Sequence, residues 1–218
     1  MVRAVTPDGR RQRRREQTVV EILAAAVEAM AADGVAGMSL SDVARRVGMQ
    51  PPSLYEYFPS KLALYDAVFK AGYEELNTAV FAVADDIRSD PLGTLFAGYP
   101  VFVRWCIEHP VQAQLMFWRP VPKFEPSAEA FAPSVEQMLV VKELITLAAA
   151  KGQLSPAAAS EEAVRLYAVI GSGLITQQLA NDPDGQYPDG YWNDLAAAGI
   201  HMWFNRYAPE PTTGSAES

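Results

Sequence analysis

SLSDVARRVGMQPPSLYEYFPSK, residues 39–61, is the stretch that decides the fold. Ser39 offers the hydroxyl of a helix N-cap, and Asp42, three residues on, has the spacing to reach back in a capping box. Leu40, Val43, Ala44 and Val47 then recur at i, i+3, i+4 and i+7, the period of a helix buried on one face. Gly48 ends the run where a left-handed residue is needed. Pro51, whose missing N–H would find no intrahelical partner in a first turn, opens a second short helix to about Tyr57. Leu54 and Phe58, four apart, hold its inner face and leave Gln50, Pro51, Ser53, Tyr55 and Tyr57 to face outward. Two short helices joined through a glycine, with Ala44 small where they cross, form a helix-turn-helix whose second helix projects from the surface.

Working outward, Ile22, Ala25, Ala26 and Met30 fall at helical spacing between Glu16 and Asp33, and Gly34 follows as a stop. Downstream, Ser60 caps a helix carrying Leu62, Leu64, Tyr65, Val68 and Phe69. Beyond residue 70 there is no period-2 alternation, no nucleotide-binding glycine loop and no repeat, only apolar helical stretches punctuated by Pro, Gly and Asp. Helices are expected over 72–88, 93–108, 110–118, 128–151, 156–181 and 189–207, with a loop from Asn181 to Gly190. The expected fold is all-α. A basic arm (1–15) precedes a three-helix helix-turn-helix domain (16–70); a larger helical domain (71–208) and a disordered tail (209–218) follow.

The formal net charge of −8 argues at first against a polyanionic partner. The distribution reverses that: residues 1–70 hold 10 Lys and Arg against 8 Asp and Glu, whereas residues 71–218 hold 8 against 18. Arg10, Arg11, Arg13, Arg14 and Arg15 crowd the segment before the first helical pattern, either as a solvated tail or as an arm that contacts DNA. The single cysteine, Cys106, excludes an intramolecular disulfide or a multi-cysteine zinc site and is read as a small buried hydrophobe. With no apolar stretch of signal-peptide or membrane-span character, the chain is expected in the cytoplasm.

The run from Glu21 to Phe69 resembles the DNA-binding region of TetR-family repressors. The matching elements are Ile22, Ala25, Ala26, Gly34, Ser39, Val43, Ala44 and Gly48, then the Leu54-Tyr55-x-x-Phe58-x-x-Lys61 signature and Leu64. The segment from Tyr99 through Trp118, with Ala168 to Leu174, looks like one subgroup of that family's C-terminal domains. The resemblance implies a homodimer of nine or ten helices per chain, joined through its two C-terminal helices. It also implies a palindromic operator in double-stranded DNA and a small-molecule pocket whose occupation moves the paired heads. By position it implies base or phosphate contacts from Gln50, Pro51, Ser53 and Tyr57, and phosphate contacts from Tyr55 and Lys61. Ser39 and Ser41, near a helix N-terminus, bring hydroxyls and free N–H groups to the same strand. The chain departs from the family's usual Ser or Thr at Gln50, from its frequent His at Tyr57, and in the doubled Pro51-Pro52. On this reading the arginine run lies along phosphates or enters a minor groove.

The pocket is expected to favour a hydrophobic or aromatic ligand and to draw on Phe102, Trp105, Met116, Phe117, Tyr167, Ile170, Leu174 and Gln178. The dimer surface is expected from Leu166, Ile170, Leu174, Trp192, Leu195, Ile200, Trp203 and Phe204. Enzyme chemistry finds little support. The two histidines, His109 and His201, lie far apart, and Gly171-Ser172-Gly173 lacks nucleophile-elbow spacing. The pairs Glu74-Glu75, Asp85-Asp86 and Glu161-Glu162 suit solvated helix faces, and Asp182-Pro183-Asp184-Gly185 lacks the closing glutamate of a calcium loop. No metal or cofactor is expected. The alternatives that stay open are a DNA-binding regulator without a small-molecule sensor and an activator instead of a repressor.

Overall fold

The structure, a computed structural model, describes residues 7–83 and 89–210. Among these it forms nine helices and two 3-10 turns and contains no strand, as expected of an all-α chain. The helices are α1 (Pro7–Asp33), α2 (Leu40–Arg46), α3 (Pro51–Tyr55), α4 (Lys61–Phe81), α5 (Pro91–Glu108), α6 (Pro110–Trp118), α7 (Ala128–Ala150), α8 (Glu161–Asn181) and α9 (Leu195–Tyr207). The chain divides into two compact units, one of Met1–Gly72 with Val111–Phe131, the other of Tyr73–Pro110 with Ala132–Ser218.

The first unit is built on the pattern that opens the sequence. Ile22, Ala26, Val43, Ala44, Leu54 and Leu64 are fully enclosed, so α1, α2, α3 and the start of α4 share one core. Gly34 (φ 77°) and Gly48 (φ 68°) both adopt the left-handed conformation that ends α1 and turns the chain between α2 and α3. The Tyr65 hydroxyl donates to the Val35 carbonyl at 2.5 Å, tying α4 to the 3-10 turn Val35–Gly37 that leads into α2. Val111–Phe131 packs with this unit although sequence grouping put it with everything after residue 70. Phe124 lies 5.7 Å from the Tyr65 ring and 6.3 Å from Phe69, and the Asp66 carboxylate accepts from the Ser127 N–H and hydroxyl, both at 2.7 Å.

Several helix limits differ from the sequence reading. α1 begins at Pro7 instead of Glu16, so the described arginines lie on a helix and not on an extended arm. α4 runs unbroken through residue 70, where two helices were expected: Gly72 sits inside it against α6, and a Cβ there would stand 2.9 Å from the Met116 sulfur. α8 starts at Glu161, because Ser160 caps it by accepting the Ala163 N–H and Pro156–Ala158 forms a separate 3-10 turn. Residues 1–6, 84–88 and 211–218, which include Asp85-Asp86 and most of the expected tail, lie outside the described residues.

In the second unit α5, α8 and α9 pack around Tyr99, Tyr167 and Trp203. The Tyr167 ring centroid is 5.5 Å from each of the other two. The Trp203 indole donates to the Ala163 carbonyl at 2.9 Å. Asp90 caps α5 by accepting the Gly93 N–H at 3.0 Å, and that N–H with the Gln153 amide holds its carboxyl below the usual carboxylate range. The expected dimer surface needs one correction: Ile200 and Trp203 are 3% and 1% exposed and belong to the core of this unit. The large apolar side chains exposed on α8 and α9 are Leu195, which was among those expected, with Val169 and Met202, which were not, at 45%, 62% and 70% exposed.

Candidate nucleic-acid interface

α2 and α3 present the outward side chains of the sequence reading on a framework fixed by buried ones. Leu54 is fully buried and Phe58 nearly so, while Gln50, Ser53 and Tyr55 are exposed, Tyr55 at 52%. Gln50 is the N-cap of α3, with its carbonyl accepting the Ser53 N–H at 2.9 Å. The tight turn returns the Met49 N–H to the Ala44 carbonyl at 2.8 Å, so α3 cannot slide on α2 without losing that bond. Pro51 is half-buried, and its work is to start the helix.

Ser39 caps α2 by accepting the Asp42 N–H at 3.1 Å, which leaves its own O–H free to donate to an anion. Asp42 does not reach back as the capping-box spacing suggested. Its carboxylate is taken by Arg46 at 2.7 Å and by Arg45, which hold it below the usual carboxylate range. Ser41 is exposed, and Arg45, one turn further along the same helix, is 76% exposed at its side chain. Sequence reasoning passed over Arg45; the signal was a basic residue four positions after an outward serine.

Two expected contacts prove to be braced from within. The Lys61 ammonium donates to the Ala36 carbonyl at 2.9 Å and sits over the Tyr65 ring, keeping two N–H bonds for another acceptor. Tyr57 is half-buried, because the Arg15 guanidinium lies over its ring at 4.9 Å and donates to the Glu56 carbonyl at 3.3 Å. Arg15, on α1, is thus a member of the α3 surface that no local sequence pattern places there.

The expected ligand residues are distributed over both units. Met116 and Phe117 lie on α6 in the first unit, whereas Phe102, Trp105, Tyr167, Ile170, Leu174 and Gln178 lie in the second. In that second unit Gly171 of α8 admits the Phe102 and Tyr99 rings, since a Cβ there would stand 3.2 Å and 3.4 Å from them. Trp105 is buried and stacks on His109 with ring centroids 4.5 Å apart. Gln178 is fully buried, and its amide donates to Asp182 and accepts the Trp192 N–H at 3.1 Å, so it organises the loop before α9. Two buried donors on α5, the Tyr99 hydroxyl and the Trp105 indole N–H, have no hydrogen-bond partner among the described residues. Burial pushes the Tyr99 phenol up to about 12, which keeps its proton in place at neutral pH.

Residues 22–68 match the family model of the bacterial regulatory proteins of the TetR family. The chain is 28% identical over 117 residues to the HTH-type transcriptional regulator Rv1816 of Mycobacterium tuberculosis, covering 53% of this chain and 50% of that one. It thus spans about half the length of the first curated relatives it matches. A second relative, the HTH-type transcriptional regulator EthR of Mycolicibacterium smegmatis, is 24% identical over 208 residues, 92% of this chain and 91% of its own. Among solved structures, a TetR family transcription regulator from Marinobacter aquaeolei VT8 superposes with a TM-score of 0.67 at 16% identity, covering 91% of this chain and 99% of its own. The residues matched by the family model form the helix-turn-helix, so this segment carries the DNA-binding region of the TetR family, and over nearly its whole length the chain is similar to TetR-family transcriptional regulators in sequence and fold.

Proposed function

We propose that this regulator is a repressor that binds a palindromic operator as a homodimer in the cytoplasm and is released by a small hydrophobic or aromatic molecule. The observation that carries the DNA half is the division of α3 into a buried face, Leu54 and Phe58, and an exposed face, Gln50, Ser53 and Tyr55. An exposed short helix rich in amide and hydroxyl groups and braced by a turn suits base edges and phosphates. The exposed Val169, Leu195 and Met202 support pairing of α8 and α9 with a second copy, which would present α3 twice.

The unpaired Tyr99 and Trp105 donors support the sensor half. A buried N–H or O–H without a partner costs about 1–3 kcal/mol, so a ligand with aromatic surface and acceptor oxygens would recover that on entry. Enzyme chemistry gains no support: the Ser172 hydroxyl is spent on the Val169 carbonyl inside α8, and both nitrogens of His109 face acceptors, the Trp105 carbonyl at 2.8 Å and Glu75 at 3.3 Å.

The test is retardation of duplex DNA, taken from the region flanking the gene and from random-sequence selection. Wild type is compared with Ser53→Ala and Tyr55→Phe. Specific binding that both variants weaken by fivefold or more supports the reading; wild type binding no duplex specifically in either library would remove it. Ligands found by thermal shift must release that DNA, and Trp105→Phe must weaken them; compounds that bind without releasing DNA would remove the sensor.

A further inference from the structure

Arg10, Arg11, Arg13 and Arg14 of the arginine run have no part in the operator contact above, and the run's conformation bears on the two roles open to it. From Pro7 onward it is helical, and an α-helix, about 10–12 Å across with side chains, cannot enter a minor groove about 6 Å wide. The helix itself therefore stays outside the minor groove, and the phosphates that rim it come within reach of the arginines first.

At about 100° per residue, Arg11, Arg14 and Arg15 span an arc of about 100°; measured from Arg15, Arg10 and Arg13 lie about 140° and 160° round the helix, with Arg10 about 40° beyond Arg14. Arg15 fixes which way the arc faces, because its guanidinium packs on Tyr57 and donates to the Glu56 carbonyl at the end of α3. Arg11 and Arg14 thus continue the α3 surface along α1, both exposed, and among the described residues no carboxylate pairs with either. Arg13, by contrast, folds back to donate to the Gly9 carbonyl at 3.3 Å.

We propose that the first turns of α1 form a second, sequence-independent DNA contact, in which Arg11 and Arg14 bind phosphates flanking the half-site read by α3 and Arg15 serves as a positioning residue between the two. The inference rests on the DNA-binding reading above. It explains how a chain of net charge −8 can hold a polyanion: the cations needed are gathered on one side of one helix.

The test uses the full-length protein and an operator recovered by selection, with affinity measured by anisotropy from 50 to 300 mM KCl. Arg11→Ala/Arg14→Ala is compared with Arg10→Ala/Arg13→Ala, which removes the same charge from the part of the same helix turned away from Arg15. Two phosphate contacts contribute about 1.8 to the log–log salt slope per head and about 3.6 for the two heads of a dimer, so the first pair flattens the slope by about that much and the second leaves it near wild type. Between 50 and 200 mM salt that difference amounts to about a 150-fold change in relative affinity for the dimer. Arg11→Lys/Arg14→Lys, which keeps the charges, restores the slope. Equal effects from both alanine pairs would overturn the proposal and leave only long-range charge, while wild type binding no duplex would overturn the DNA-binding reading itself.

Discussion

Tyr65→Phe removes one oxygen atom from the first unit and tests whether the turn ahead of α2 is held by a single buried bond. The ring is fully enclosed and packs on Phe124 at 5.7 Å, and phenylalanine keeps that packing. What disappears is the 2.5 Å bond to the carbonyl of Val35, itself only 4% exposed. Burial raises the phenol's pKa, so the hydroxyl is a neutral donor at pH 7 and the loss is not of a charge. A net hydrogen bond of about 1 kcal/mol is lost and a buried carbonyl is stranded, so the expected destabilisation is about 1–2 kcal/mol. For a chain of this size that lowers Tm by about 2–4 °C per kcal/mol. The assay is urea unfolding followed by circular dichroism at fixed protein concentration, because any self-association shifts the midpoint by mass action. The midpoint should fall with an unchanged slope. Lys61→Met removes the other donor to this turn, from Ala36, and the double variant should lose less than the sum of the singles by about 0.5 kcal/mol or more, since a turn already loosened has less to lose. A Tyr65→Phe change below about 0.3 kcal/mol would refute the role of the bond, and strict additivity would refute the shared brace.

Two further outcomes follow from the packing and the charges. Gly199→Ala places a Cβ 2.9 Å from the Ile170 side chain and 3.4 Å from the Tyr99 hydroxyl, so thermal melting should show a loss of about 1–3 kcal/mol; an unchanged melt would mean that α8 and α9 are not in close contact there. Asp42, Glu161, Glu162 and Asp182 have carboxyl pKa values lowered in the fold, chiefly by Arg46, by Lys142, by Arg206 and by the Gln178 amide in turn. Below the unfolded values of 3.8 for Asp and 4.5 for Glu the unfolded chain binds more protons, so their stabilisation, whole above that range, is lost as pH falls through the folded values. Urea midpoints taken from pH 7 down to pH 3 should drop at the acid end, and Asp42→Asn should shallow that drop; an identical acid limb in the variant would show that the Arg45 and Arg46 pairs add nothing measurable.

The fold was legible where the information is local. The Leu40, Val43, Ala44 and Val47 spacing, the Ser39, Ser60 and Asp90 caps and the left-handed Gly34 and Gly48 each depend on a few neighbouring residues, and of these only the Asp90 cap went unread. The misplaced limits were decided by distant partners. The expected helix break near Gly72 was wrong because that glycine is small for Met116, which stands 44 positions away. Helical period cannot separate Ile200 and Trp203, turned into the unit, from Val169 and Met202, turned into solvent, because each set is apolar and each recurs at helical spacing.

The candidate site divides along the same line. That Leu54 and Phe58 go in and Ser53 and Tyr55 go out follows from one helix's geometry and needs no partner. What Tyr57, Lys61 and Gln178 do is set by Arg15, by the Ala36 carbonyl and by Trp192, at separations of 42, 25 and 14 residues. A polar side chain near a DNA-facing helix can as well be a brace as a contact, and only the partner distinguishes them. The distinction matters for mutagenesis: losing a contact such as Tyr55 should weaken DNA binding and spare the melt, whereas losing a brace such as Arg15 should disturb both. Stability and salt slope measured together on each variant therefore sort these residues better than affinity alone.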